Sequence, residues 1–402
     1  MLALAFRNIF RNRARTALTL TVIASGVAGL ILCGGFVADA LNQLREATIH
    51  SQLGHLQIYR DGFYEKGSRS PNDYLIDKPS DVLDVARKLP DFEEGMARLN
   101  FSAVINNGRS DFAVVGEGVE PEKEKKLGSL LEIVEGRGLE TKDLNGIFIG
   151  EGVALATRLK VGDRATVLLH TVEGALNSGE FEVLGIFRSF SKDYDARAVR
   201  ITLPAAQELM ALSSVNAIVV LLKTTEATDR AAGALAQGLQ GKGYEIKTWR
   251  QLADFYDKTA SLYQRQFIVL EAIILMAVLL SVINAVNMSV YERTAEFGTL
   301  MALGTHGSGV SALVLQENLL LGLIGSALGA LAGIVLALVI SAIGIPMPPP
   351  PNSSTGYVAA IDVDALTVLT AFAIGCIATV AAAWFPSRRV AKLAVVDALR
   401  QA

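Results

Sequence analysis

The residues in this chain best equipped for chemistry are its four histidines, His50, His55, His170 and His306, its two cysteines, Cys33 and Cys376, and its carboxylates. His50 and His55 stand five apart near an expected helix end, a spacing that allows a metal pair, although two polar surface residues are the simpler reading. Glu122, Glu124, Glu132 and Glu135 sit among lysines and read as a solvated face. The sequence contains no G-x-x-x-x-G-K-[ST] run to cradle a phosphate, and no H-E-x-x-H, C-x-x-C or G-x-S-x-G. No catalytic residue, cofactor or metal of its own is therefore expected. Both cysteines fall inside apolar runs, where neither is placed to staple an exported domain.

The polar groups with most to say are those embedded in apolar sequence, because burying them in hydrocarbon is costly. Asn284 and Asn287 lie one turn apart near the end of one apolar run, and Gln316, Glu317 and Asn318 near the start of the next. A substrate or proton path is one reading. Interhelical hydrogen bonding that fixes helix packing is preferred, because no chain of carboxylates crosses the run. Gly325, Gly329 and Gly333 form a G-x-x-x-G-x-x-x-G ladder, which lets helix backbones approach closely.

Between those runs lies the segment 291–309. Glu292, Arg293 and Glu296 share one helical side, while Phe297, Leu300, Met301 and Leu303 supply an apolar face, with Gly298, Thr299 and Ala302 between them. Gly304 is placed to stop the helix. Spacing alone leaves two readings open, a solvated connector and a helix that docks on another protein.

The elements that position these groups follow from composition. The chain is 51% hydrophobic and 19% charged, with a mean hydropathy of +0.38, which is the balance of a membrane protein carrying a substantial soluble part. The net charge of −3 is uninformative because charges are segregated by region. Residues 1–15 read as an amphipathic helix, with Leu2, Phe6, Ile9 and Phe10 beside Arg7, Arg11, Arg13 and Arg15. Four segments are long enough to span a bilayer, at 16–40, 266–290, 310–343 and 364–386. Arginine and lysine crowd the tails 1–15 and 387–402 and are missing from the proline-rich loop 344–363, which places both termini in the cytoplasm. Nothing points to nucleic acid.

That orientation puts residues 41–265 outside. The edges of this block read as helical stalks, the second with Leu252, Phe255, Thr259, Leu262 and Phe267 along one side. Between them, segments such as HLQIY, SAVIN, FAVVGE, ATVLLH, FEVLGIF, VRITL and AIVVLLK read as strands, and 79–89, 149–158, 204–212 and 228–239 as helices. The expected architecture is four transmembrane helices with a large extracytoplasmic α+β domain on stalks between the first and second.

Three stretches carry a family resemblance, RNIFRNRARTALT, ERTAEFGTLMALGTHGSGVSALVLQENLLLGLIG and AAWFPSRRVAKLAVVDALR. Together they resemble the FtsX-like ABC-transporter permeases, the group that contains MacB-like exporters and the lipoprotein-releasing permeases. IGEGVALATRLKVGDRATVL and FEVLGIFRSF are similar to the MacB-like periplasmic core domain. The resemblance implies that Glu292 through Gly304 form a coupling helix seated on an ATPase subunit, two copies per complex, which binds ATP and Mg. It also implies a second permease, identical or related, in a cell inner membrane. Closest in length and layout are the lipoprotein-releasing (LolC/LolE type) permeases, for which Phe36, Val37 and Leu41 are candidate substrate contacts by position. A MacB-like efflux role with a periplasmic adaptor and an FtsX-like role in regulating a cell-wall hydrolase are the alternatives, and a periplasmic chaperone is a further possible partner.

Overall fold

The computed structural model describes residues 8, 11, 13–67, 71–128, 131–349 and 356–391. Most of the expected amphipathic segment 1–15, the tail 392–402 and part of the proline-rich loop lie outside the described residues. The chain divides into two compact units, one of Met1–Asn42, Thr259–Pro346 and Val358–Ala402 and the other of Gln43–Lys258 and Met347–Tyr357.

The first unit is helical. Its elements are α1 (Arg13–Thr48), α2 (Asp254–Glu292), α3 (Thr294–Ala302), α4 (Gly307–Ile343) and α5 (Ala365–Val390). All but α3 are long and apolar enough to cross a membrane. The positions 40 and 265, expected as boundaries, lie within continuous helix. In water the glycines of α1 would oppose helix formation. In hydrocarbon every backbone group must be bonded within the segment, and helix becomes the only open choice.

Packing among these helices uses small residues. A Cβ on Gly325 would lie 2.9 Å from Ile23, one on Gly329 2.6 Å from the carbonyl oxygen of Ala24, and one on Gly333 3.2 Å from the Cα of Ala28. The glycine ladder of α4 is therefore a track along which α1 lies in backbone contact. Ile23, Val27 and Ile31 of α1 meet Val278, Val282 and Val286 of α2, Val310 and Val314 of α4, and Ala382, Ala383 and Val390 of α5 in one apolar cluster. The chain before α5 is pinned to α1 by the amide of Asp362 donating to the carbonyl of Gly35 and that of Ala360 donating to Asp39 Oδ2. Helix α2 is the least enclosed, with 11% of its most apolar window buried against 39% for α1.

The second unit is an α+β domain around a ten-stranded sheet. The strands are β1 (Leu56–Arg60), β2 (Phe92–Asn106), β3 (Asp111–Val119), β4 (Glu132–Gly136), β5 (Gly146–Gly150), β6 (Arg164–His170), β7 (Leu176–Arg188), β8 (Ala198–Thr202), β9 (Ala217–Leu222) and β10 (Tyr244–Thr248). Their order is β10-β1-β9-β2-β3-β8-β5-β7-β4, with β6 paired to β2 and β7. Pairing is antiparallel except β3 with β8 and β5 with β7. Strand β2 joins two lobes: Gly95–Arg98 pairs with β9, and Leu99–Asn106 with β3. Each lobe has its own core, one around Ile105, Val167, Val183 and Ile201 and the other around Ile58, Ile76, Val220 and Leu235.

The expected helices are found at Pro79–Ala86, Glu151–Thr157, Leu203–Met210 and Thr228–Gly238. Two expectations fail. Glu124 is not solvated: helix Pro121–Leu127 turns it inward with Pro121 and Leu127, where it accepts from Arg98 Nε and Nη2 at 2.6 and 2.8 Å. His55 is not a surface residue either, being fully enclosed.

Candidate functional site

At the end of the helical unit nearest α3, side chains from four segments converge on a cavity of about 240 Å³. Arg293, in the turn between α2 and α3, donates from Nη1 to Glu317 Oε2 at 2.7 Å and from Nε to Glu296 Oε2 at 3.1 Å. Glu317 Oε1 accepts from Asn8 Nδ2 at 2.6 Å. Arg11 pairs with Glu296 and Arg15 with Glu292. The guanidinium of Arg293 also covers the Phe297 ring at 5.0 Å from its centroid. Burial by itself would raise the pKa of Glu296, but the hydrogen bonds from Arg11 and Arg293 outweigh it and hold the carboxyl below its ordinary range.

This geometry sorts the expected docking residues. Phe297 and Gly298 are buried against the helical core, and Leu300 and Met301 are half-buried beside it. Glu292, Glu296, Thr299, Ala302 and Leu303 face outward, with Leu303 80% exposed. The helix closes with the Gly304 amide donating to the Met301 carbonyl and the Thr305 amide to the Leu300 carbonyl, both at 3.0 Å. With Gly304 at φ +94°, this is the Schellman geometry. The result is a short helix clamped from inside by Phe297 and Arg293, presenting a polar stripe ending in a leucine.

Asn284 and Asn287 depart from expectation. Both are exposed on α2, and neither side chain has a hydrogen-bond partner among the described residues. The packing expected of them is not found among the described residues, because α2 turns Val278, Val282 and Val286 toward the other helices instead. Glu317, by contrast, is the hub of the cluster.

At the opposite end of α1, Phe36 and Val37 join Leu32, Cys33, Tyr263, Gln266, Phe267 and Leu270 around an apolar cleft of about 310 Å³. Leu41 does not line it. The cleft can hold a hydrocarbon chain and offers no group for covalent chemistry other than the Cys33 thiol.

In the α+β domain, sequence reasoning missed a buried polar joint. His55 Nδ1 accepts from the Leu222 amide at 3.1 Å, and Nε2 lies 3.1 Å from Thr225 Oγ1, which donates to Glu46 Oε1 at 3.0 Å. The imidazole is thus neutral with its proton on Nε2, and burial pushes its pKa down to about 4. The only available signal was position, just past the helix end at Gly54. Among the described residues no three His, Cys, Asp or Glu side chains are grouped to hold a metal.

Four helices long and apolar enough to cross a membrane, a short clamped helix between the second and third, and a large α+β domain inserted between the first and second define a membrane protein carrying a substantial folded domain. The description "MacB-like periplasmic core domain" matches residues 16–237, and "FtsX-like permease C-terminal" matches residues 268–395. The chain belongs to the FtsX-like, MacB-like family of ABC transporter permeases. It is 24% identical over 416 residues to an uncharacterized ABC transporter permease of Methanocaldococcus jannaschii, covering 100% of this chain and 97% of that one. It is 25% identical over 415 residues to the macrolide export ATP-binding/permease protein MacB of Escherichia coli, covering 99% of this chain but 60% of that one. To the lipoprotein-releasing system transmembrane protein LolC of Xylella fastidiosa it is 26% identical over 322 residues, covering 74% of this chain and 76% of that one.

Proposed function

We propose that this permease transmits the ATP-driven motion of a separate nucleotide-binding subunit to its α+β domain, and that the motion releases a lipid-anchored protein from the membrane. The carrying observation is α3, whose inner side is fixed by Phe297 and the Arg293–Glu317 pair while Thr299 and Leu303 stay free to meet a partner. A helix held this firmly passes a push at its outer stripe into α2 and α4. Arg11, Arg13 and Arg15 at one end of α1 and Arg388 and Arg389 at the end of α5 favour a cytoplasmic location for α3 and for both termini. The apolar cleft at Phe36 and Val37 then lies toward the outer leaflet, where an acyl chain would lodge. The LolC relative supports lipoprotein release. Alignment of MacB with 99% of this chain supports a second reading, export of a small molecule or peptide through a periplasmic adaptor.

The test is an affinity pull-down from solubilised membranes, wild type beside Leu303→Glu. An ATPase subunit and lipidated proteins with the wild type, and loss of the ATPase with the variant, are the expected result. Retention of the ATPase by the variant would overturn the docking stripe. Recovery of an adaptor, or of a cell-wall hydrolase, would replace lipoprotein release with the corresponding role.

A further inference from the structure

Within the α+β domain, the turn between β2 and β3 and the loop entering β6 face each other across a cavity of about 590 Å³. The turn supplies Asn107, Arg109 and Ser110, and the loop supplies Arg158, Lys160 and Asp163, with Arg164 at its foot. Asn107 ties the two together. Its Nδ2 donates to the Thr157 carbonyl at 2.6 Å, and its Oδ1 accepts from the Arg109 and Ser110 amides at 2.9 and 2.8 Å. Small-molecule sites run to about 300–1,000 Å³, so the space holds more than an inorganic ion.

The charge of this cavity is unbalanced. Arg109, Arg158 and Lys160 are exposed and have no ion-pair partner among the described residues. Arg164 lies 3.7 Å from Glu180, which offsets it. Asp163 accepts from the Lys160 amide at 2.8 Å, and Asp111, at the foot of the turn, accepts from Asn106. Three cations against the Asp163 carboxylate leave a surplus of about two charges, and a phosphate monoester carries about −1.5 to −2 at neutral pH. A carboxylate carries less. Helix Glu151–Thr157 ends on the cavity, and a helix end attracts cations. It is only seven residues long and its Thr157 carbonyl is already taken by Asn107, so it does not account for three of them. Arg158 is moreover held at φ +59°, where glycine is preferred, so this cation stands at a conformational cost.

We propose that the cavity binds the phosphate of a small phosphate monoester, with the Arg109 and Arg158 guanidiniums and the Lys160 ammonium on the phosphate oxygens and the rest of the ligand in the remaining space. A soluble glycerol or sugar phosphate and a lipid with a phosphate monoester headgroup share this chemistry. The proposal depends neither on the docking stripe of α3 nor on the substrate that is moved.

The experiment is isothermal titration of the full-length chain in detergent at fixed ionic strength, with glycerol 3-phosphate as the probe and glycerate as the carboxylate control. The phosphate is expected to bind at least roughly fivefold tighter than the carboxylate. Arg109→Gln, Arg158→Gly and Lys160→Gln are each expected to weaken the phosphate at least roughly tenfold, the worth of one charge-assisted hydrogen bond. Lys242→Gln, exposed in the other lobe, should change nothing. Arg158→Gly removes a cation while easing the backbone, so its melting temperature should hold or rise and its loss of binding is not loss of fold. No binding at millimolar probe, equal affinity for glycerate, or wild-type affinity in Arg158→Gly would overturn the proposal. Glycerol 3-phosphate carrying one hexanoyl chain separates the sources. Unchanged affinity assigns a soluble ligand and a gain of roughly tenfold a lipid headgroup, and either result upholds the phosphate site.

Discussion

Arg293 Nη1 and Glu317 Oε2 meet at 2.7 Å with side chains 12% and 9% exposed, joining the turn before α3 to the first third of α4. The pair is what holds a short polar helix against two apolar ones. Removing either partner leaves the other charge beside the core without compensation, so Arg293→Met or Glu317→Leu alone should destabilise the helical unit by about 2–4 kcal/mol. The double variant should cost markedly less than the sum. A double-mutant cycle of thermal unfolding in detergent measures the difference, and strict additivity would show that the two do not act as a pair.

Gly304 takes φ +94°, and a Cβ built on it would meet nothing within 4 Å. Any effect of Gly304→Ala is therefore conformational rather than steric, on the order of 1–2 kcal/mol. The loss should fall on α3 alone, so hydrogen exchange should quicken at Thr305 and Gly304 while the strands of the α+β domain stay unchanged.

Gly329 and Gly233 make opposite predictions for the same substitution. A Cβ on Gly329 would press on the Ala24 backbone at 2.6 and 2.8 Å, so Gly329→Ala should force α1 and α4 apart and cost roughly 1–3 kcal/mol. Gly233 sits on the exposed side of helix Thr228–Gly238 with nothing within 4 Å, and Gly233→Ala should stabilise by about 0.5–1 kcal/mol. Melting temperatures of the two variants beside wild type test both signs.

His55 makes stability depend on pH. Its folded pKa of about 4 lies below the ordinary value of 6.5, so between those values the unfolded chain binds the proton and the folded domain does not. The contribution is present in full above about pH 6.5 and is lost as the pH falls through 4, on the order of 3 kcal/mol in total. His55→Gln, with no group to titrate in this range, should flatten the acid-side slope of melting temperature against pH. An unaltered slope would place the acid sensitivity elsewhere.

Much of the architecture was legible because it rests on local pattern. The four spans follow from uncharged length, the α3 boundary from Gly304, and strands such as FEVLGIF from residue type. The candidate site was legible only in part, because its contacts are remote in sequence. Nothing local shows that Glu296 is shared by Arg11 and Arg293, or that Glu124 pairs with Arg98 of β2. His55 misled because a histidine at the end of a helix carries no mark of burial; the enclosing groups, Leu222 and Thr225, lie far along the chain. The polarity of Asn284 and Asn287 suggests packing residues, but the face they occupy is set by the valines Val278, Val282 and Val286, one turn apart on the other side.

The fifteen residues of β2 run some 50 Å at strand pitch, and hydrogen bonds tie one half to β9 and the other to β3. Two lobes joined in this way have no hinge between them. Turning one against the other would shear a ladder rather than flex a loop, so a force applied to either core reaches the far one as displacement of the whole domain. The sheet carries its two lobes as one piece.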